Sequence, residues 1–143
     1  MQKRLKMIIP ILFVLVTLGF LLNWYIPKQN DIKDSKVFVQ EEIESRLIST
    51  IDLLEQKNYD TLQSIATDQM KSVLCEVTME NVKNEICENW GTKSAMGNIY
   101  EEEITQMNQH FAVCQVNVSY ENVSVTYTIS FDENMNIAGF YLK

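Results

Sequence analysis

His110 is the only histidine of the 143-residue chain, and Cys75, Cys87 and Cys114 are its only cysteines. A thiol–imidazole pair is the simplest nucleophilic machinery such residues could build, because the base must sit beside the thiol to take its proton. His110 and Cys114 share a parity, so a strand puts them on one face. At about 3.4 Å per residue they stand roughly 13–14 Å apart, too far for that transfer. Cys75 falls just before a helix and Cys87 about nine residues into it, roughly 13 Å of rise. A disulfide needs Cα atoms within about 7 Å, so this bridge is disfavoured and plain structural thiols are expected. Three cysteines without a CxxC or a second histidine make no zinc site. The chain has no GxSxG, no HExxH and, with four glycines in all, no phosphate-cradling loop. Acid–base work is the remaining option, with His110 facing a carboxylate such as Asp60 or Asp132. No catalytic residue, metal ligand or cofactor site is assigned.

These residues must be positioned by the elements around them. Val39, Ile43, Leu47, Ile51 and Leu54 recur at helical spacing, which predicts an amphipathic helix over about 37–56. Gln56-Lys57-Asn58 breaks it. Tyr59, Leu62, Ile65 and Ala66 continue a second stripe, interrupted near Thr67-Asp68, where either residue can cap a turn carrying Met70, Val73 and Leu74. The next helix has fuller punctuation: Thr78 as N-cap, Val77 stapled on Val82, a stripe of Met79, Val82, Ile86 and Trp90, and Gly91 at C′.

After Gly91 the period falls to two. A weakly alternating strand is expected around 97–104, followed by two strong ones. Ala112, Cys114, Val116, Val118 and Tyr120 share one face, and Val123, Val125, Tyr127, Ile129 and Phe131 share another. The two-residue loop Glu121-Asn122, whose Asn tolerates a positive φ, sets Val118 against Val125, Val116 against Tyr127, Cys114 against Ile129 and Ala112 against Phe131. A one-residue slip would oppose apolar to polar groups throughout. Asp132 to Asn136 turn the chain into a last strand, with Gly139 about opposite Ile129, where a missing side chain lets the sheet bend. Helices gathered before an antiparallel meander of about four strands make an α+β domain, with the helices on one face of a curved sheet.

The N-terminus is organised differently. Met7 to Pro27 holds no charged side chain, follows Lys3, Arg4 and Lys6, and ends at Trp24 and Tyr25. About 20 helical residues cross a hydrocarbon core roughly 30 Å thick. A basic flank and an aromatic belt then read as a single-pass signal-anchor with its N-terminus in the cytoplasm. A cleaved signal peptide fits less well, because its apolar stretch should stop sooner and end in small residues. The organisation expected is therefore residues 1–27 as basic tip and transmembrane anchor, 28–36 as a polar stalk, and 37–143 as an extracellular domain of a cell-membrane protein. Residues 30–143 carry 8 Lys+Arg and 19 Asp+Glu, a net charge of −11. That balance works against nucleic acid and against anionic membrane surfaces. The triplet Glu101-Glu102-Glu103 reads as a solvated strand edge rather than a cation site.

The stretch LLEQKNYDTLQSIATDQMKSVL, the segment from Thr78 to Gly91, the valine-rich hairpin and FDENMNIAGFYL together resemble a bacterial family, domain of unknown function 3887. The resemblance covers about Val37 to Lys143 and rests on Tyr59-Asp60, Met70, Trp90, Gly91, Phe131-Asp132 and Ile137-Ala138-Gly139. It implies a cystatin-like or nuclear-transport-factor-2-like cone, with helices cupped by a curved sheet, in a small extracytoplasmic module. The family usually has a glycine in the last turn, where this chain has Met135 or Asn136. No catalytic residues are carried over. Cones of this type hold ligands between sheet and helices, and His110, Tyr127 and Tyr141 are the residues placed to line such a cavity. The plainer alternative is that His110 caps a strand start and that the tyrosines bury their rings with hydroxyls at the rim. Two functions follow: a non-catalytic binding or accessory module for an unknown protein, peptide or envelope ligand, or a small hydrolase or isomerase working by acid–base chemistry.

Overall fold

The computed structural model describes residues 25–143. Apart from its last three residues, the uncharged run 7–27 lies outside that range. Among the described residues no helix is long and apolar enough to cross a membrane.

The described chain runs β1 (Lys28–Asp31), a 3-10 turn (Ile32–Asp34), α1 (Gln40–Glu55), α2 (Tyr59–Ser64), α3 (Asp68–Lys71), α4 (Glu76–Ile86), β2 (Lys93–Gln106), β3 (Gln109–Tyr120), β4 (Ser124–Phe131) and β5 (Ile137–Leu142). It is an α+β arrangement with one open sheet of five strands in the order β1-β2-β3-β4-β5, every neighbour antiparallel. The fifth strand is the segment expected to be a stalk. All four side chains of β1 are exposed, so no alternation marked it. Its pairing is through the backbone, Lys28 opposite Thr105 and Asp31 opposite Glu102. Polar and charged side chains suit an edge strand, since they discourage further pairing. The 3-10 turn then drops Ile32, 2% exposed, into the core.

Helix α1 buries Ile43, Leu47, Ile51 and Leu54 as the spacing predicts, but starts at Gln40, leaving Val39 exposed as its N-cap. Its end explains the break at Gln56-Lys57-Asn58. Lys57 takes φ +55, and the Lys57 and Asn58 amides donate to Leu54 O and Leu53 O, a Schellman closure. Asn58 then caps α2 by accepting from the Thr61 amide at 3.3 Å. The α2–α3 connection is held to the sheet: Ile137 N donates to Ile65 O and Thr67 N to Ile137 O.

Three expectations need correction. Helix α4 begins at Glu76 with Cys75 as N-cap, not at Thr78, and Val77 is exposed rather than stapled. The same helix stops at Ile86, so Trp90 lies beyond it and Gly91, at φ +73, closes no helix. The Glu101–Glu103 stretch is no solvated edge. With β1 covering that side of β2, Glu103 is 3% exposed, and Glu101 and Glu103 lie opposite Cys114 and Ala112 of β3's inner face.

The central hairpin has the register expected: Ala112, Cys114, Val116 and Val118 face Phe131, Ile129, Tyr127 and Val125. On its outer face Ser119–Ser124, Asn117–Thr126 and Gln115–Thr128 are hydrogen-bonded pairs. The β3–β4 turn, however, uses no positive φ. It is the β2–β3 turn that does, with Met107 at +52 and Asn108 at +61 between the paired Gln106 and Gln109, a two-residue primed turn matched to strand twist. In the last turn Met135 takes φ +62. A register shift at Ser130/Phe131 sets Gly139 opposite Ser130 and moves Phe140 opposite Ile129. With the shifts in β2 between Lys93 and Ile99, these irregularities locally bend and twist the sheet around the helices.

Candidate functional site

A cavity of about 400 Å³ opens where the C-terminal end of α1, helix α4 and the sheet meet. Its principal wall is built by the chain just after α4. The indole Nε1–H of Trp90 donates to Lys83 O at 3.1 Å, a second donor on a last-turn carbonyl that already accepts from Cys87 N. The Trp90 ring lies 5.0 Å from that of Tyr120, tilted by 58°, and Lys83 Nζ stands 5.0 Å over its face. Gly91 makes the approach possible: a Cβ there would lie 2.6 Å from Glu121 Cβ. The β3–β4 turn is clasped by the same segment, since Asn122 N donates to Trp90 O and Glu121 N to Thr92 O.

The deep side of the cavity is a hydrogen-bonded chain. Tyr120 donates its hydroxyl proton to Glu55 Oε1 at 3.0 Å, so the 2.8 Å contact between the two phenols is Tyr127 donating to Tyr120. Glu55 Oε2 takes Lys93 Nζ at 2.9 Å, and Asp52 takes the same ammonium at 3.2 Å. The hydrogen bond to Glu55 raises the Lys93 pKa, so it stays cationic. Burial raises both phenols, Tyr127 to about 12, so neither ionises at neutral pH. Leu54, Met79 and Leu142 complete an apolar lining.

The three residues placed in a cavity from the sequence are not together. Tyr127 belongs to the aromatic cavity. Tyr141 pairs with Thr128 on the outer face and is 61% exposed. His110 lies at the other end of β3, six residues from Val116, the partner of Tyr127, or about 20 Å along the strand. It lines a second cavity of about 540 Å³ with Thr67, Gln69, Asp132 and Glu133. Its carboxylate partner is neither Asp60 nor Asp132. Asp60 is exposed in the first turn of α2, and Asp132 spends Oδ1 on the Asn134 and Asn136 amides. Instead Nδ1 of His110 lies 2.5 Å from the buried Glu103 Oε1 and 3.1 Å from Thr105 Oγ1, across the β2–β3 ladder. A carboxylate oxygen accepts, so the proton of the shared contact is assigned to Nδ1 of the ring.

All three cysteines are free. Cys75 and Cys87 cap opposite ends of the 11-residue α4, about 18 Å apart by helical rise. Cys114 is fully buried, and that burial pushes its thiol up to about 12. It is no nucleophile at neutral pH. Trp90, Tyr120 and Glu55 are the site residues that sequence reasoning missed. The misplaced end of α4 hid Trp90 as one more helix-stripe residue, and nothing local ties Glu55 to a tyrosine 65 positions away.

A protein from Ruminococcus gnavus ATCC 29149, known from an NMR structure, has the same fold at a TM-score of 0.64 and 23% sequence identity, over 75% of this chain and 93% of that one. No curated protein matches the chain. The family model described as protein of unknown function (DUF3887) matches residues 49–140, from the middle of α1 into β5. With well over half its length matched, the chain belongs to the DUF3887 family of proteins of unknown function.

Proposed function

We propose that this chain is a single-pass membrane protein displaying a non-catalytic binding module outside the cell, and that the ligand enters the cavity beside Trp90. The observation that carries the reading is that cavity itself. Its volume of about 400 Å³ falls in the range of small-molecule sites, and an apolar aromatic lining with a few placed polar groups is what such sites share. The polar groups at its base are already hydrogen-bonded to one another, so the walls stand ready without a ligand. Helices lying on the inner face of a bent sheet support assigning the domain to the cystatin-like or nuclear-transport-factor-2-like cones. The anchor is supported by the uncharged run 7–27 with its basic and aromatic flanks. Because β1 begins at Lys28, directly after that run, the edge of the sheet then sits at the membrane surface. Saturation-transfer NMR of a mixed-charge fragment library on the full chain tests the site. Compounds that bind the native chain are expected to be lost in the cavity-filling variant Leu142→Phe. Fragments that bind both equally contradict it.

A second reading rests on one contact, the His110–Glu103 pair. A buried carboxylate orienting an imidazole toward a cavity is an acid–base arrangement, and it favours a small hydrolase or isomerase. Hydrolysis of an activated ester that disappears in His110→Gln and persists in Leu142→Phe would establish this reading in place of the first.

A further inference from the structure

We propose that the Trp90 cavity takes a small aromatic carboxylate, with its ring on the indole wall and its carboxylate on the Lys83 ammonium. The proposal rests on the binding reading above and names its ligand class. Three charged side chains line the cavity: Glu55, Lys83 and Lys93. Glu55 has one oxygen on Lys93 and the other on the Tyr120 hydroxyl, and Lys93 is shared between Glu55 and Asp52. Lys83 has no carboxylate within ion-pair distance among the described residues, and its head stands over the Trp90 ring. Lys93 is held by two carboxylates, so what the lining offers an anion is the unspent ammonium of Lys83.

The hydrogen-bonding capacity points the same way. The two buried phenols have spent their protons, Tyr120 on Glu55 and Tyr127 on Tyr120. The three donors of Lys83 make no hydrogen bond among the described residues, so the cavity offers donors where a ligand must bring an acceptor. A cationic ligand meets two lysines and a carboxylate already neutralised. Trp90, Tyr59, Leu54 and Met79 supply the apolar lining against which an aromatic ring packs.

The test reads the two indole N–H groups of the full chain, Trp24 and Trp90, in 1H–15N spectra during titration with phenylacetate, phenylacetamide and phenethylamine. Phenylacetate is expected to shift the Trp90 indole signal saturably, with affinity about tenfold above the amide. Lys83→Gln is expected to remove that advantage, leave the weak amide binding unchanged and keep the spectrum dispersed, while Lys83→Arg restores it. Amide or amine binding at Trp90 as tightly as phenylacetate, or phenylacetate binding indifferent to Lys83→Gln, overturns the ligand class and leaves the cavity a binding site. A Trp90 signal unmoved by all three also overturns the ligand class, and the fragment library then decides the binding reading separately. Gly-Gly-Phe set beside its C-terminal amide separates the sources: tighter binding of the free-acid peptide than of phenylacetate identifies a chain terminus, and the reverse order a free acid.

Discussion

Glu101 sits on the inner face of β2 with both carboxylate oxygens shut away from water, beside Gln40 and Glu44 of α1. Burial holds its pKa above the ordinary 4.5 against the opposing hydrogen bond of Gln40, with Glu44 acting in the same sense as burial. A carboxyl raised on folding favours the fold while protonated; that contribution is full below the unfolded pKa and is lost as pH rises through the folded one. Glu101→Gln is therefore expected to stabilise the domain at pH 7.5 by on the order of 1 kcal/mol. Its advantage should narrow as the pH is lowered toward 4.5. Urea unfolding at several pH values measures both, and a variant less stable than the native chain at pH 7.5 contradicts the assignment. Gly91 makes the opposite case. Its φ of +73 and the nearness of Glu121 leave no room for a Cβ, so Gly91→Ala should cost about 1–3 kcal/mol and lower the melting temperature. The cysteines give a third prediction. Hydrogen bonding from Thr78 lowers the Cys75 thiol, whereas Cys114 is buried and raised. Maleimide labelling followed by mass spectrometry is expected to modify Cys75 first and Cys114 only on unfolding.

At the scale of elements, β1 changes where the domain begins. Truncating Ile32 to Ala should cost about 2–4 kcal/mol because the side chain fills the core behind an edge strand. A chain lacking β1 should melt at a lower temperature than one retaining it, and equal melting would make the strand dispensable. That strand was illegible in the sequence because all its side chains are solvated and only its backbone pairs. The central hairpin was legible to the residue, since one face of each strand is apolar and the other polar, and a slip would exchange them. The end of α4 was misread because Trp90 falls at helical spacing from Ile86, although its indole folds back to cap the helix from outside. Half of each candidate site escaped for one shared reason. Tyr127 and His110 could be placed on strands, but Glu55 reaches Tyr127 only by way of Tyr120 through helix packing, and Glu103 reaches His110 through a β2–β3 register set by Met107-Asn108. That turn adopts positive φ without the glycine that usually marks it.

For the whole molecule, the two ends of the sheet carry different chemistry: an aromatic cavity with an unspent cation at one, a carboxylate-oriented imidazole at the other. Belonging to a family of unknown function does not choose between them, and a fold alone never does. The central claim is that the Trp90 end does the work of the protein. The measurement that tests it most directly is a fragment titration of the full chain that reads both ends at once, the Trp90 indole N–H and the His110 ring signals. The account predicts a saturable shift at Trp90 that vanishes in Leu142→Phe, with His110 unmoved. Saturable shifts at His110 with Trp90 silent would contradict it.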